Sequence, residues 1–148
     1  MNNLEKWSTI GFLSLLVIFN IWMMILGKHS WIVSSLNILF HEAGHVFFSF
    51  FGNFIMVLGG TLGELIIPSL FLGYFMFQEK IPGQVFSWWW LSVAFYNVAL
   101  YIGDARARVL PLLGGQGGHD WAYLLGELGL LDYDIFISRL LIITALCI

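Results

Sequence analysis

Charge is what this chain has least of. Lys, Arg, Asp and Glu together make up 10% of its 148 residues, against about 25% in an ordinary soluble domain. That deficit argues against a fully solvated surface. The net charge of −3 comes without any run of basic residues, so no nucleic-acid partner is expected. Cysteine occurs once, as Cys147, which rules out an intrachain disulfide framework and a Cys-rich zinc site. No internal repeat divides the chain and its length allows one compact helical domain, so residues 1–148 read as a single domain. No small-x-small cleavage site follows the first apolar run, residues 9–27, which therefore reads as a retained span and not as a signal peptide.

What is present is apolar length. Hydrophobic residues make up 59% of the chain, and they fall into runs of membrane-crossing size. The expected fold class is all-α, a polytopic transmembrane helical bundle of about four spans with a short C-terminal helix or partial fifth span. The spans read as residues 9–27, 31–58, 61–78 and 84–104. Lys28-His29 marks a membrane surface, Gly59-Gly60 a turn, and Pro68 a kink in the third span. The Trp88-Trp89-Trp90 cluster suits a membrane interface. The second span, at 28 residues, exceeds the roughly 20 needed to cross, so it must tilt, bend or project.

After residue 104 the texture becomes glycine-rich, with Pro111 and Gly114-Gly115-Gln116-Gly117-Gly118. Residues 119–131 suit a short amphipathic helix with Asp120 near its positive end. Residues 134–148 are apolar but too short to cross comfortably; they lie at the interface, or the native chain continues past Ile148. With the N-terminus inside, Lys6, Arg106, Arg108 and Arg139 fall on one side of the membrane, against Lys28 and Lys80 on the other. The positive-inside rule makes the first side cytoplasmic. Arg106 or Arg108 could also pair with Asp104 or Asp120.

The second span carries His41-Glu42-Ala43-Gly44-His45. Ionisable groups inside a bilayer persist where they pair, bind an ion or do chemistry. On a helix, residues four apart share a face, so His41 and His45 can ligate one metal ion, with Glu42 beside it as a base. Asn37, His41, His45, Ser49 and Asn53 recur every four residues as a polar stripe turned to the bundle interior. Gly44 and Gly52 leave room for a neighbouring helix.

A catalytic zinc site needs a third protein ligand and keeps its fourth position for water. Asp104 is the first candidate. Taking Trp31 and Trp90 as interface marks, His45 and Asp104 both lie 14 residues further on, roughly 21 Å of helix. Asn97, Tyr101 and Asp104 give the fourth span a polar face. His119 and Asp120 compete, because a glycine-rich connection could fold either back over the site. Glu64, near the start of the third span, is a possible substrate-side carboxylate or a headgroup neighbour.

The histidine motif within an apolar helix resembles the site-2 protease family of intramembrane zinc metalloproteases. In that family a later span supplies an aspartate ligand in an Asn…Leu-Asp-Gly pattern. Asn97-Val98-Ala99-Leu100-Tyr101-Ile102-Gly103-Asp104 is similar to it, although Gly103 and Ala105 flank the aspartate. Gly118-His119-Asp120-Trp121 lies outside the core pattern and suggests a divergent bacterial branch. The resemblance implies Zn²⁺ as cofactor, held by His41, His45 and Asp104, with Glu42 as catalytic base and Asn97 as a partner for the oxyanion or the substrate backbone. It implies an integral protein of the bacterial inner membrane, cleaving a membrane-protein or membrane-peptide substrate in the lipid bilayer. The alternatives are a non-catalytic membrane metal-binding protein acting as sensor, carrier or chaperone, and a zinc hydrolase acting on a non-peptide substrate.

Overall fold

A computed structural model describes residues 3–25, 31–111 and 118–148, and every regular element in it is helical. Six α-helices follow in order: α1 Asn3–Ile25, α2 Trp31–Phe48, α3 Asn53–Phe77, α4 Ile81–Gly103, α5 Asp120–Glu127 and α6 Asp134–Cys147. Short 3₁₀ turns occupy Ser49–Phe51 and Leu131–Tyr133. Lys28-His29 and the run Gly114-Gly115-Gln116-Gly117 lie outside the described residues. Two helices, α3 and α4, are long and apolar enough to cross a membrane.

The expected 28-residue second span is two helices. α2 stops at Phe48, and Gly52, at φ 88° and ψ 165°, reverses the chain. That backbone region is essentially closed to side-chain-bearing residues, so Gly52 is a turn residue and not a seat for a neighbouring helix. Gly59-Gly60, expected as the turn, lies inside α3. Hydropathy could not place the reversal, because Phe50, Phe51 and Phe54 keep the apolar signal running across it.

The glycines of α3 serve close packing instead. A Cβ on Gly44 would overlap the carbonyl oxygen of Gly59, and a Cβ on Gly63 would overlap that of Phe40. Helices meeting backbone to backbone through small residues are a membrane-type contact. The α2–α3 hairpin is antiparallel, with Phe48 against Gly59, Gly44 between Gly59 and Gly63, and His41 against Gly60.

Gln78-Glu79-Lys80 turns α3 into α4, whose first turn carries Pro82 where no helical amide is needed. Pro68 is accommodated within α3. α4 forms the centre, packing against α3, α6 and α1. Val98, Ile102, Ala105, Ala122 and Leu125 form one core cluster, and Val33, Trp90 and Val93 another. Trp90 is no interface anchor: it is buried and donates its indole N–H to Asn37 Oδ1 at 2.8 Å, while Trp88 stays exposed. α5 ends in a Schellman motif, with the Leu130 amide on the Leu125 carbonyl and the Gly129 amide on that of Gly126.

Beside its apolar core the bundle also buries polar side chains and leaves large apolar ones outside. Asn37, Thr61, Glu64, Asp104, His119 and Asp134 are buried, while Val46, Phe47, Phe50, Leu70 and Phe77 stand exposed. Arg106 reaches not Asp104 or Asp120 but the buried Asp134, at 2.6 and 2.9 Å, with Asp132 at 3.8 Å.

Candidate metal centre

His41 and His45 lie one turn apart on the face of α2 that meets α3. Their rings stand nearly perpendicular, with centroids 4.7 Å apart. Gly60 opposite them is what admits both rings, since a Cβ there would lie 2.6 Å from Cε1 and Nε2 of His41 and 2.7 Å from Cε1 of His45.

Both Nε2 atoms converge on one oxygen. Asp120 Oδ2 is 2.8 Å from His41 Nε2 and 3.2 Å from His45 Nε2. The outer nitrogens face other partners. His45 Nδ1 is 2.9 Å from the Met56 carbonyl oxygen, and His41 Nδ1 is 3.7 Å from Glu64 Oε2. A proton on His45 Nδ1 is thereby fixed, leaving its Nε2 lone pair for a cation, the usual arrangement for a metal-ligating histidine. Ligand atoms of His41, His45 and Asp120 all lie within 4.8 Å of one another. Tetrahedral zinc with bonds of about 2.0–2.1 Å needs ligand atoms roughly 3.3 Å apart, so this triad fits a small divalent ion after slight expansion.

Among the candidates for third ligand, the structure brings Asp120 to the histidines and not Asp104. Asp104 falls just past the end of α4 and turns back on its own loop, accepting the amide N–H groups of Val109 and Leu110 at 2.9 and 3.0 Å. The helical bonding still holds at Asp104, whose own amide bonds the Leu100 carbonyl at 3.1 Å; depth says nothing of the loop amides that take its carboxylate. His119 also stays out of the group, with Nε2 3.3 Å from Asp104 Oδ2. Burial pushes its imidazole below the ordinary histidine value, with Asp104 opposing the shift. Its Nδ1 accepts the Ala122 amide N–H at 3.2 Å and so caps α5.

No family model, characterised protein or solved structure matches this chain.

A cleft of about 700 Å³ opens onto the triad. Glu42, Glu64, Asn97 and Tyr101 line it beside His41, His45 and Asp120, with Ile38, Leu100 and Leu110 on its apolar side. Asn97 donates to Ser34 Oγ over a long 3.4 Å. The Tyr101 hydroxyl accepts the Asp120 amide N–H at 3.0 Å, and Trp121 donates to Thr61 Oγ1 at 3.1 Å. Sequence reasoning missed these two clamps on α5. It also missed the facing of His41 by Glu64, for which the only signal was a carboxylate in an otherwise apolar helix. Of the expected polar stripe, Asn37, His41 and His45 turn inward from α2, while Ser49, in the following 3₁₀ turn, is exposed and bonds the Val46 carbonyl, and Asn53 is exposed at the start of α3.

Proposed function

We propose that the chain is a zinc-dependent intramembrane metallopeptidase of the site-2 protease type, with His41, His45 and Asp120 as the metal ligands. The observation that carries this reading is the convergence of two imidazole Nε2 atoms on a single carboxylate oxygen. The donor set is two nitrogens and one oxygen, which suits catalytic zinc with a position left for water. α1 to α4 are the four spans, in a bacterial inner membrane. The inward polar residues and outward apolar ones support that placement.

Zinc in a three-ligand site makes water nucleophilic near neutral pH and polarises a carbonyl oxygen. The residues around it supply the rest. Glu42 follows His41 in the motif and lines the same cleft, so its carboxylate takes the proton of the attacking water and returns it to the leaving amine. Asn97 offers its amide to the substrate carbonyl oxygen or backbone, exchanging the long bond to Ser34 for a shorter one. Ile38, Leu100 and Leu110 face the apolar flank of the substrate. A helical membrane segment must unwind locally to present its peptide bond there, because helical hydrogen bonding otherwise shields the carbonyl.

The test is metal analysis of the purified, detergent-solubilised chain beside a cleavage assay on membrane peptides. The expected result is about one zinc per chain for a single catalytic site, lost in His45→Ala and Asp120→Ala and kept in Asp104→Ala. Glu42→Gln is expected to keep the zinc and lose turnover. No metal in the wild type after zinc is supplied overturns the proposal. Zinc retained with no peptide cleavage by the wild type leaves a sensor, carrier or chaperone, or a zinc hydrolase of non-peptide substrates.

A further inference from the structure

Asp104 and His119 are a buried polar pair that the proposed chemistry does not use. His119 is 4% exposed and Asp104 6%. Burying both is unfavourable unless each is satisfied. The Ala122 amide takes the Nδ1 lone pair of His119, so the ring proton sits on Nε2. Among the described residues that N–H has no well-directed partner, and the Asp104 carboxylate at 3.3 Å is the acceptor it faces.

The surroundings of the pair all bear on one residue. Asp104 gathers the amides of Val109 and Leu110 and so turns the chain back as it leaves α4. His119 immediately precedes Asp120, and through the Ala122 amide it fixes the first turn of α5 around it. The His119 ring lies on that of Tyr101 with centroids 4.4 Å apart, and the Tyr101 hydroxyl holds the Asp120 amide. α5 has only eight residues, far too few to be stable alone. The place of Asp120 is therefore set by what its first turn is tied to.

We propose that Asp104 and His119 are positioning residues: the pair ties the start of α5 to the end of α4 and so holds the Asp120 carboxylate over His41 and His45. The proposal rests on the reading of the triad as a metal centre. It assigns Asp104 a role one step removed from the ion, orienting the segment that delivers the ligand.

Two substitutions divide the two ends of the imidazole. His119→Asn keeps an acceptor for the Ala122 amide, because Asn is a good helix cap, but has nothing to reach Asp104. His119→Gln extends a donor to the place of Nε2 and gives up the cap. Zinc dissociation constants are measured on the solubilised full chain by competition with a chelator. Thermal unfolding of the metal-free protein is followed in parallel. His119→Asn is expected to bind zinc about 10- to 100-fold more weakly, the usual effect of removing a group that orients a ligand, while His119→Gln stays within about threefold of wild type. The metal-free unfolding midpoints of His119→Asn and His119→Gln should fall by similar small amounts, because both give up the buried ring packed on Tyr101. The reverse order of the two variants makes His119 a helix cap only, and overturns the proposal. So does unchanged zinc affinity in both, or a loss confined to variants whose metal-free midpoint has collapsed. Absence of zinc from the wild type overturns the metal centre itself, and that failure is visible before any substitution is made.

Discussion

Gly60→Ala adds one methyl group at the place where α3 faces both imidazoles. Its Cβ would lie 2.6 Å from Cε1 and Nε2 of His41 and 2.7 Å from Cε1 of His45. Carbon contacts settle at about 3.5–4.0 Å, so the rings must retreat by roughly 1 Å. Separating the helices to relieve the overlap would forfeit the backbone contact at Gly44 and Gly63, so moving the rings is the less costly relief. The rings therefore give way, and His45 strains or loses its 2.9 Å bond to the Met56 carbonyl. A metal site tolerates only about 0.2 Å in its ligand distances. Zinc affinity should fall about 10- to 100-fold, or roughly 1.4–2.8 kcal/mol. The fold should not suffer, because Ala favours a helix over Gly by about 1 kcal/mol. Gly73→Ala in the same helix, with nothing within 4 Å of the added carbon, is the matched control and should bind zinc as the wild type does. Chelator competition gives the affinities, and circular dichroism in detergent gives the helicity. Wild-type zinc affinity in Gly60→Ala, with helicity intact, would refute the placement of both rings against α3.

Gly44→Ala strikes the backbone contact itself, since the new Cβ overlaps the Gly59 carbonyl. Overpacking of this kind costs about 1–3 kcal/mol, and the measurement is a lowered unfolding midpoint in the metal-free protein. Arg106→Ala takes the guanidinium from the buried Asp134 carboxylate and leaves it the backbone amides of Ile135 and of residue 106. Arg106 holds that carboxyl below its ordinary value of 3.8, so its contribution is present above about pH 4 and is lost as the pH falls below that and the group protonates. The variant should therefore unfold at a lower temperature than wild type at pH 7, with the gap closing towards pH 3. A gap that is constant with pH would disconnect Arg106 from Asp134.

The parts of this molecule that were legible in the sequence are those set by local spacing. His41 and His45 share a face because any α-helix puts residues four apart together, and the short helix beginning near His119 announced itself by its amphipathic pattern. The third member of the triad could not be read that way. Asp120 reaches His41 across 79 positions of sequence, and among the described residues it is held there by the Tyr101 hydroxyl on its amide and by Trp121 on Thr61. The turn at the end of α4 likewise depends on a side chain bonding backbone amides, with Asp104 taking those of Val109 and Leu110, and residue spacing carries no trace of it. An aspartate at the right depth on a regular helix was a sound geometric candidate, but its carboxylate is taken by the Val109 and Leu110 amides, which a depth comparison does not register.

The misplaced turn has a related cause. Two adjacent glycines suggest a reversal in water, where glycine mainly loosens a chain. Between apolar helices the same residue is valued for the side chain it lacks, because it lets one backbone lie against another. Gly44, Gly59 and Gly63 do this, and Gly60 extends the same logic from a backbone to a pair of imidazole rings. The close approach of α2 and α3 and the room for the histidines are thus one structural fact. A helix pair held further apart would have no need of Gly60, and would leave His45 too far from the Met56 carbonyl to have its tautomer set. The buried polar residues follow the same pattern. Thr61 receives Trp121, Glu64 faces His41, and Asp104 faces His119, so these interior polar groups act on either a histidine of the triad or the segment that delivers Asp120. Other interior polar groups serve the fold, Asn37 receiving Trp90 and Asp134 receiving Arg106, so the polar interior is divided between the site and the packing that carries it.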